Sequence, residues 1–370
     1  MQIKKIKIKN FKSLKKIDIT LSNLTLMTGI NSGGKSSFIQ SILLFKQNQE
    51  RFYSIRGSKI ININDKYINL GHKRDILFEE EFEKDIEIEI SNNLLTHNLK
   101  FNPDNLEIKD IKILPEDKKS LFNIFYDDFQ YISTDRITPD IIYPMSEEEV
   151  DKNLIGIKGE YTAHYLANNR HKDIIPALKH SKSQTTQLLE NVSLWLSEIT
   201  KNTEISNELE VKAKVYDELQ QVNLTYSYTY GDNITKEYTP LNIGFGITYV
   251  LPVIVAILKA KKDDLIIIEN PESHLHPIGQ SKIAELCAIA SANGVQIIIE
   301  THSDHFLNGI MIATKNKILK PEESKIYFFK KEQDELETKI DELNINSEGK
   351  IDKWPKDFFD QYENDLMELL

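Results

Sequence analysis

The sequence predicts an α/β fold with a mixed or parallel core sheet, an antiparallel β lobe and a helical insertion. Three observations carry that expectation. A glycine-rich turn at residues 29–37 stands between an extended apolar run, Leu24-Thr-Leu-Met-Thr28, and the helix-spaced run Phe38-Ile-Gln-Ser-Ile-Leu-Leu-Phe45. Short alternating runs broken by Asn, Asp and Gly fill about residues 55–115 and return over 207–230. Beyond these, helical and extended patterns alternate to about residue 330, the order expected of a parallel sheet flanked by helices.

The elements follow in order. Ile3, Ile6 and Ile8 alternate with Lys and read as a first strand; residues 17–21 and 24–28 read as two more. Residues 85–90, the Asn92-Asn93 turn and residues 94–101 form a hairpin pattern. Residues 129–133 are a further strand leading into Thr134-Asp-Arg136. Residues 160–200 read as helical, with Leu188, Leu189, Val192, Trp195, Leu196 and Ile199 marking one apolar face. No internal repeat, low-complexity linker or long heptad run is present.

Composition narrows the function classes. Among 370 residues, 40% are hydrophobic and 28% charged, an ordinary soluble balance. No apolar run is long enough for a bilayer and no apolar signal segment opens the chain, so a membrane partner is not expected. Cys287 is the single cysteine, which suits a reducing cytoplasm. The net charge of −11 argues against a protein coated in basic surface. Residues 1–20 nevertheless hold seven Lys and one Asp, whereas 331–370 hold thirteen acids and five Lys. The lysines read first as the solvated face of an edge strand, and second as a patch for phosphate backbone.

Gly29-Ile-Asn-Ser-Gly-Gly34-Lys35-Ser36 fits G-x-x-x-x-G-K-S and lies where that motif must lie, between strand and helix. Glycines let the backbone wrap a phosphate, and the helix start adds partial positive charge. Lys35 supplies a full charge to the β/γ phosphates, and the Ser36 hydroxyl can ligate Mg²⁺. An ordinary Ser-capped glycine turn is the bland alternative. A second strand, 265–268, ends in Glu269, Pro271 and Glu272. Glu269 stands where a carboxylate reaches Mg²⁺, although Asp is commoner there. Pro271 turns the chain, and Glu272 is placed to orient or deprotonate the attacking water. Without the glycine loop, both would read as exposed strand-end acids. Residues 296–299 repeat an apolar strand ending in polar Glu300-Thr301-His302-Ser303, where His302 could bond the γ-phosphate. Asn242-Ile-Gly-Phe-Gly246, before an apolar helix at 247–258, offers a second anion-binding helix start.

These motifs in this order resemble an ABC-type ATPase head of the RecF/SMC/OLD kind. The matching segments are 14–47, 242–258, 265–277 and 300–307. Weaker similarity lies at 131–143, at Gly156-Ile-Lys-Gly-Glu-Tyr-Thr162 and in Lys353-Trp-Pro-Lys-Asp-Phe-Phe-Asp360. The whole chain is similar to small bacterial AAA-family ATPases that carry this Trp-Pro…Phe-Phe segment and are often encoded beside effector genes in anti-phage defence loci. The resemblance implies an N-terminal ATPase lobe at 1–150, a helical and β-hairpin insertion at 151–235, a C-terminal ATPase lobe at 236–330 with signature, Walker B strand and His switch, and an acidic segment packed on the head at 331–370.

It also implies two heads sandwiching two ATP molecules. Asn31, Ser32, Gly33, Gly34, Lys35, Ser36 and Ser37 would hold the nucleotide, with Ser36 and Glu269 on Mg²⁺, Glu272 on water and His302 sensing the γ-phosphate. Asn242, Gly244 and Gly246 would complete the partner's site. Asn242 stands where Ser is commoner, and Phe245 interrupts the glycines. Ser273-His-Leu-His276 would occupy the loop that touches across the dimer; a His-x-His metal site with His302 or His305 is the competing reading. Gln47, twelve residues beyond Lys35 and about 18 Å along a helix, is a poor match for the glutamine that contacts Mg²⁺ in many such heads. Arg136 reads as a phosphate contact or a surface ion pair.

Only about 200 residues separate the phosphate loop from the signature, without heptads, which excludes long coiled-coil arms. About 65 residues follow His302, too few for the nuclease domain of OLD-type proteins. No Asn-Lys-x-Asp guanine reader is present, so ATP is preferred. The expected partners are a second copy, in a dimer or higher assembly, and a separate effector such as a nuclease or toxin, with nucleic acid as a further candidate. The alternatives are a RecF-like DNA-repair ATPase and a non-hydrolysing ATP-dependent scaffold.

Overall fold

The computed structural model describes residues 1–49, 51, 60–79, 85–112, 122–201, 208–356 and 358–369. The expected alternating runs at 55–59, 80–84 and 113–115, residue 207 and Asp357 of the tail motif lie outside the described residues. The chain forms two units: residues 1–126 with 324–344 and 351–370, and residues 127–323 with 345–350.

In the first unit the Ile/Lys alternation becomes the strand Lys5–Phe11 of a five-stranded antiparallel sheet. Leu14–Thr20 lies on one side of it, and Ile86–Ser91, Thr96–Phe101 and Ile108–Lys112 follow on the other. Register sets Ile6 beside Ile19 and Ile90, and Ile8 beside Ile17 and Ile88, so one face is a buried isoleucine row. The strand bearing Lys5, Lys7 and Lys9 is therefore interior, whereas Lys15 and Lys16 do lie on the edge strand, Leu14–Thr20; apolar rows are available on both sides of Ile6 and Ile8. Its lysines meet acids on both neighbours: Lys5 reaches Asp18 at 2.9 Å and Lys7 reaches Glu89 at 2.8 Å. Lys12 is half-buried, donates to Gln40 Oε1 at 2.8 Å, and has its pKa lowered by burial.

The same unit holds the strand Leu24–Gly29, parallel to Ser324–Lys331, which pairs antiparallel with Thr338–Leu343. Residues 24–28 are all buried, as a parallel strand covered on both faces requires. The helix Lys35–Gln47 follows at once. The acidic C-terminal segment thus begins inside a sheet. Further on, Phe358 is 1% exposed and packs edge-on to Phe328 at 5.3 Å, while Trp354 stays 56% exposed.

In the second unit Leu265–Glu269 lies between Gln130–Ile132 and Gln296–Glu300, all parallel. Ile266 to Ile268 and Ile297 to Ile299 are buried throughout. Helices Phe245–Leu258, Pro277–Ala292 and Asp304–Lys315 connect and cover these strands. The last two approach so closely that a Cβ at Gly309 would stand 2.6 Å from the Ser281 carbonyl oxygen. A three-stranded antiparallel sheet, Glu208–Tyr216, Gln221–Tyr230 and Asn233–Ile234, packs with helix Leu188–Thr200, whose Leu188, Val192, Trp195, Leu196 and Ile199 are buried.

The expected continuous helical region at 160–200 is instead two helices, Thr162–Asn169 and Leu188–Thr200, joined by a segment whose one helical turn is the short 3₁₀ turn Pro176–Leu178. Pro176 removes a donor and holds Ile175 extended at ψ 125°. The Ser183 and Thr185 hydroxyls turn to Glu190, and local bonds of that kind compete with helix. Among the described residues no helix is long and apolar enough to cross a membrane.

Candidate functional site

The phosphate loop in the first unit is shaped by close backbone approach. A Cβ at Gly29, where φ is +137°, would collide with the Phe329 carbonyl oxygen, and one at Gly33 would sit 2.8 Å from the same atom. Gly34, at φ +107°, abuts the Thr338 hydroxyl. Gly34 caps helix Lys35–Gln47 without a side chain, and the first turn carries no acid, so no carboxylate there offsets the positive end of the helix. Lys35 is 3% exposed, with Nζ donating to the Gly29 and Ile30 carbonyls at 3.0 and 2.9 Å. Asn31, Ser32 and Ser36 are exposed and Ser37 half-buried around it. Gln47 is committed elsewhere: its amide donates to Asn62 O at 2.9 Å and accepts from Ile68 N at 3.0 Å.

The second unit assembles the carboxylates. After Glu269 the chain turns through Asn270, at φ +45° with its N–H on Glu300 O at 2.7 Å, and Pro271 to Glu272. Glu272 is 7% exposed. Its Oε1 accepts from His302 N at 3.1 Å, and its buried Oε2 has no hydrogen-bond partner among the described residues. Burial pushes its pKa above the usual carboxylate range, opposed by bonds from Thr301 and His302 and by the Arg136 charge.

Glu269 behaves differently. Oε1 accepts from the Tyr131 hydroxyl at 3.0 Å, and Oε2 from the Thr134 N–H and hydroxyl at 3.2 and 3.1 Å. The side chain expected to face Mg²⁺ is thus held by the neighbouring strand and the residues after it. The His302 backbone touches Glu272 while its ring is exposed. Ser303 caps helix Asp304–Lys315 through Phe306 N at 2.9 Å.

Arg136 meets neither expectation. It is 3% exposed, donates Nη2 to the carbonyls of Glu269 and Asn270, and lies over the Tyr249 ring at 4.8 Å. Burial has drawn it off the surface, where an ion pair would have formed, and lowers its pKa to about 10.

The Gly-rich helix start lies in this unit too. Gly244 caps Phe245–Leu258, and Gly246 passes so near His274 O that a Cβ would collide with it. Asn242 is exposed and donates to Thr239 Oγ1 at 2.9 Å. Phe245, 41% exposed, stacks on Tyr249 at 5.5 Å and meets His274 edge-on at 4.7 Å. Packing of His274 between those rings accounts for it without a metal, and no cluster of three or more His, Cys, Asp or Glu fit for a metal occurs among the described residues. Tyr131, Thr134 and Asn270 were given no role from sequence, although they lie in the segments 131–143 and 265–277 that carried the resemblance; Tyr131 and Thr134 hold the Glu269 carboxylate, and Asn270 donates to Thr134 Oγ1.

A family model described as an AAA ATPase domain matches residues 1–307. A second, described as a protein of unknown function (DUF3696), matches residues 319–369. No curated protein matches the chain. Among solved structures, an SMC head bound to the C-winged helix domain of ScpA is similar with a TM-score of 0.51 and 16% identity, covering 93% of this chain and 98% of that one. An SMC head domain from Thermotoga maritima has a TM-score of 0.48 at 11% identity, covering 92% and 98%. A Pyrococcus furiosus Smc head domain with an extended coiled coil, bound to the C-terminal domain of ScpA, has 0.48 at 14%, covering 100% and 99%. Its mixed α/β fold is that of an SMC head, and the chain belongs to the AAA ATPase domain family.

Proposed function

We propose that the chain hydrolyses ATP with Glu272 as the base for the attacking water, and that ATP-loaded heads pair head to tail to control a separate effector. The observation that carries the chemistry is Glu272 itself: one carboxylate oxygen is fixed on His302 N, and the other is buried with no hydrogen-bond partner among the described residues. A buried acceptor left unpaired is costly, and a water positioned for attack would satisfy it. The Lys35 ammonium, now on two loop carbonyls, is the charge available to the phosphates, with Asn31, Ser32, Gly33, Gly34, Ser36 and Ser37 lining the loop. Asn242, Gly244 and Gly246 would face the partner's nucleotide, whereas the exposed His302 ring, beside Glu272, would read the γ-phosphate on which Glu272 acts.

Ser36 and Glu269 fit Mg²⁺ as oxygen donors. Three donors already occupy Glu269, which leaves about one of roughly four lone-pair sites. Bound Mg²⁺ supplies positive charge that offsets the phosphate oxygens. Glu269→Asp is expected to retain ATP binding and to lose less turnover than Glu272→Gln; an equal or greater loss would move the chief catalytic role to Glu269.

The resemblance to ATPases encoded beside effector genes supports a nuclease or toxin as the partner. Nucleic acid has less support, because Lys5 and Lys7 are paired with acids and Lys12 is bound to Gln40. The reading is tested by adding ATP and Mg²⁺ to the purified chain and following phosphate release and light scattering together. Both should rise, and EDTA should stop phosphate release. Assembly without phosphate release would make the protein a scaffold, and phosphate release from monomers would remove the pairing.

Burial also predicts a pH profile. The base must be ionised, so kcat falls as pH drops through the Glu272 pKa, which lies above the ordinary 4.5. The acid limb of kcat is expected above that value, and a limb at or below it would contradict the assignment.

A further inference from the structure

Arg136 carries an unusual set of contacts for a buried cation. The hydrogen-bond acceptors it meets are not carboxylate oxygens but the carbonyls of Glu269 and Asn270, the two residues that begin the turn to Glu272. Among the described residues its buried Nε and Nη1 have no hydrogen-bond partner, nor have the buried acceptors Asn270 Oδ1 and Glu272 Oε2 on the same turn. Burying a guanidinium costs free energy unless the charge is paired and hydrogen-bonded, so the two carbonyl bonds and the Tyr249 ring are what offset it here.

The other face of Arg136 rests on Tyr249, which belongs to helix Phe245–Leu258. The Tyr249 hydroxyl donates to Thr134 O, and Thr134 in turn donates to the Glu269 carboxylate. Tyr249 meets His274 at 4.8 Å, and Phe245 at the helix start stacks on Tyr249 and meets His274 edge-on. A continuous set of packed rings and hydrogen bonds therefore runs from the Gly-rich helix start to the catalytic turn.

We infer that Arg136 is the positioning residue of the catalytic turn, fixing the Glu269 and Asn270 carbonyls so that Glu272 is aimed, and coupling that aim through Tyr249 to the Gly-rich helix. Whatever seats against Phe245 and Gly246 shifts the ring beneath Arg136 and so biases the turn. The inference rests on Glu272 as the base, and the two fail separately: if Glu272→Gln turns over normally that reading falls, whereas Glu272→Gln inactive beside a normal Arg136→Met overturns Arg136 alone.

The test compares Arg136→Met, Tyr249→Leu and the double variant by kcat and by affinity for a fluorescent ATP analogue. Displacing a catalytic group by about 1 Å costs about a hundredfold in rate. Arg136→Met should therefore lose about a hundredfold in kcat with analogue affinity within about threefold. Tyr249→Leu should show the same split, and the double variant should lose less than the product of the two. Equal losses of kcat and affinity, or multiplicative losses in the double variant, would overturn the inference. If Arg136→Met fails to fold, Tyr249→Leu with Tyr249→Phe decides: Phe keeps the ring and should retain more kcat than Leu, and equal loss in both would overturn it.

Discussion

Glu272→Gln is expected to lower turnover by between about a hundredfold and about ten-thousandfold, the range general-base catalysis supplies. The amide oxygen can still accept from His302 N, which the carboxylate meets at 3.1 Å, so the turn keeps its anchor. The amide cannot take a proton. Because burial already penalises the ionised carboxylate, its neutral isostere should not destabilise the fold. ATP affinity should stay within about threefold, since uniform binding is untouched. ATP-loaded protein then accumulates, and light scattering should show a persistent pair where the unaltered chain shows a transient one. Normal phosphate release from this variant would place the base elsewhere.

Lys35→Ala should act on binding first. Charge-assisted hydrogen bonds contribute about 1.5–3 kcal/mol each, so losing one or two to phosphate weakens ATP by between about tenfold and about ten-thousandfold. The structure adds a second cost. Lys35 Nζ also closes the loop on Gly29 O and Ile30 O, and its removal leaves both carbonyls without that donor. A nucleotide titration and a thermal midpoint measured together separate the two effects. ATP affinity unchanged in a folded Lys35→Ala protein would remove the phosphate role from this loop.

The residues at 29–36 were legible because the chemistry of phosphate binding is local: glycines, a lysine and a helix start adjoin in sequence. Glu272 was legible for a similar reason, as strand, proline and acid are contiguous. Arg136 was not, because its meaning depends on burial beneath Tyr249 and on carbonyls more than 130 residues away. The same holds for Tyr131 and Thr134, which hold Glu269 from a neighbouring strand and the residues after it. Position in the first sheet was misjudged for a physical cause: alternation of Ile and Lys specifies a half-buried strand but says nothing of how many neighbours it has. The break between Asn169 and Leu188 could have been read from Pro176. The fold class was legible in outline, whereas the return of Ser324–Lys331 and Thr338–Leu343 beside the phosphate strand was not, since pairing across such a separation leaves no local trace.

That return bears on biosynthesis. The phosphate motif is translated before its wall, which is the Phe329 carbonyl and the Thr338 side chain about 300 residues later. At about 5–20 residues per second, roughly 15–60 s pass on the ribosome before the wall exists. For that interval the nascent chain carries every residue of the motif and no finished cradle. ATP therefore cannot stabilise the growing polypeptide, and chains released before Ser324 should fail to bind nucleotide although the motif is whole.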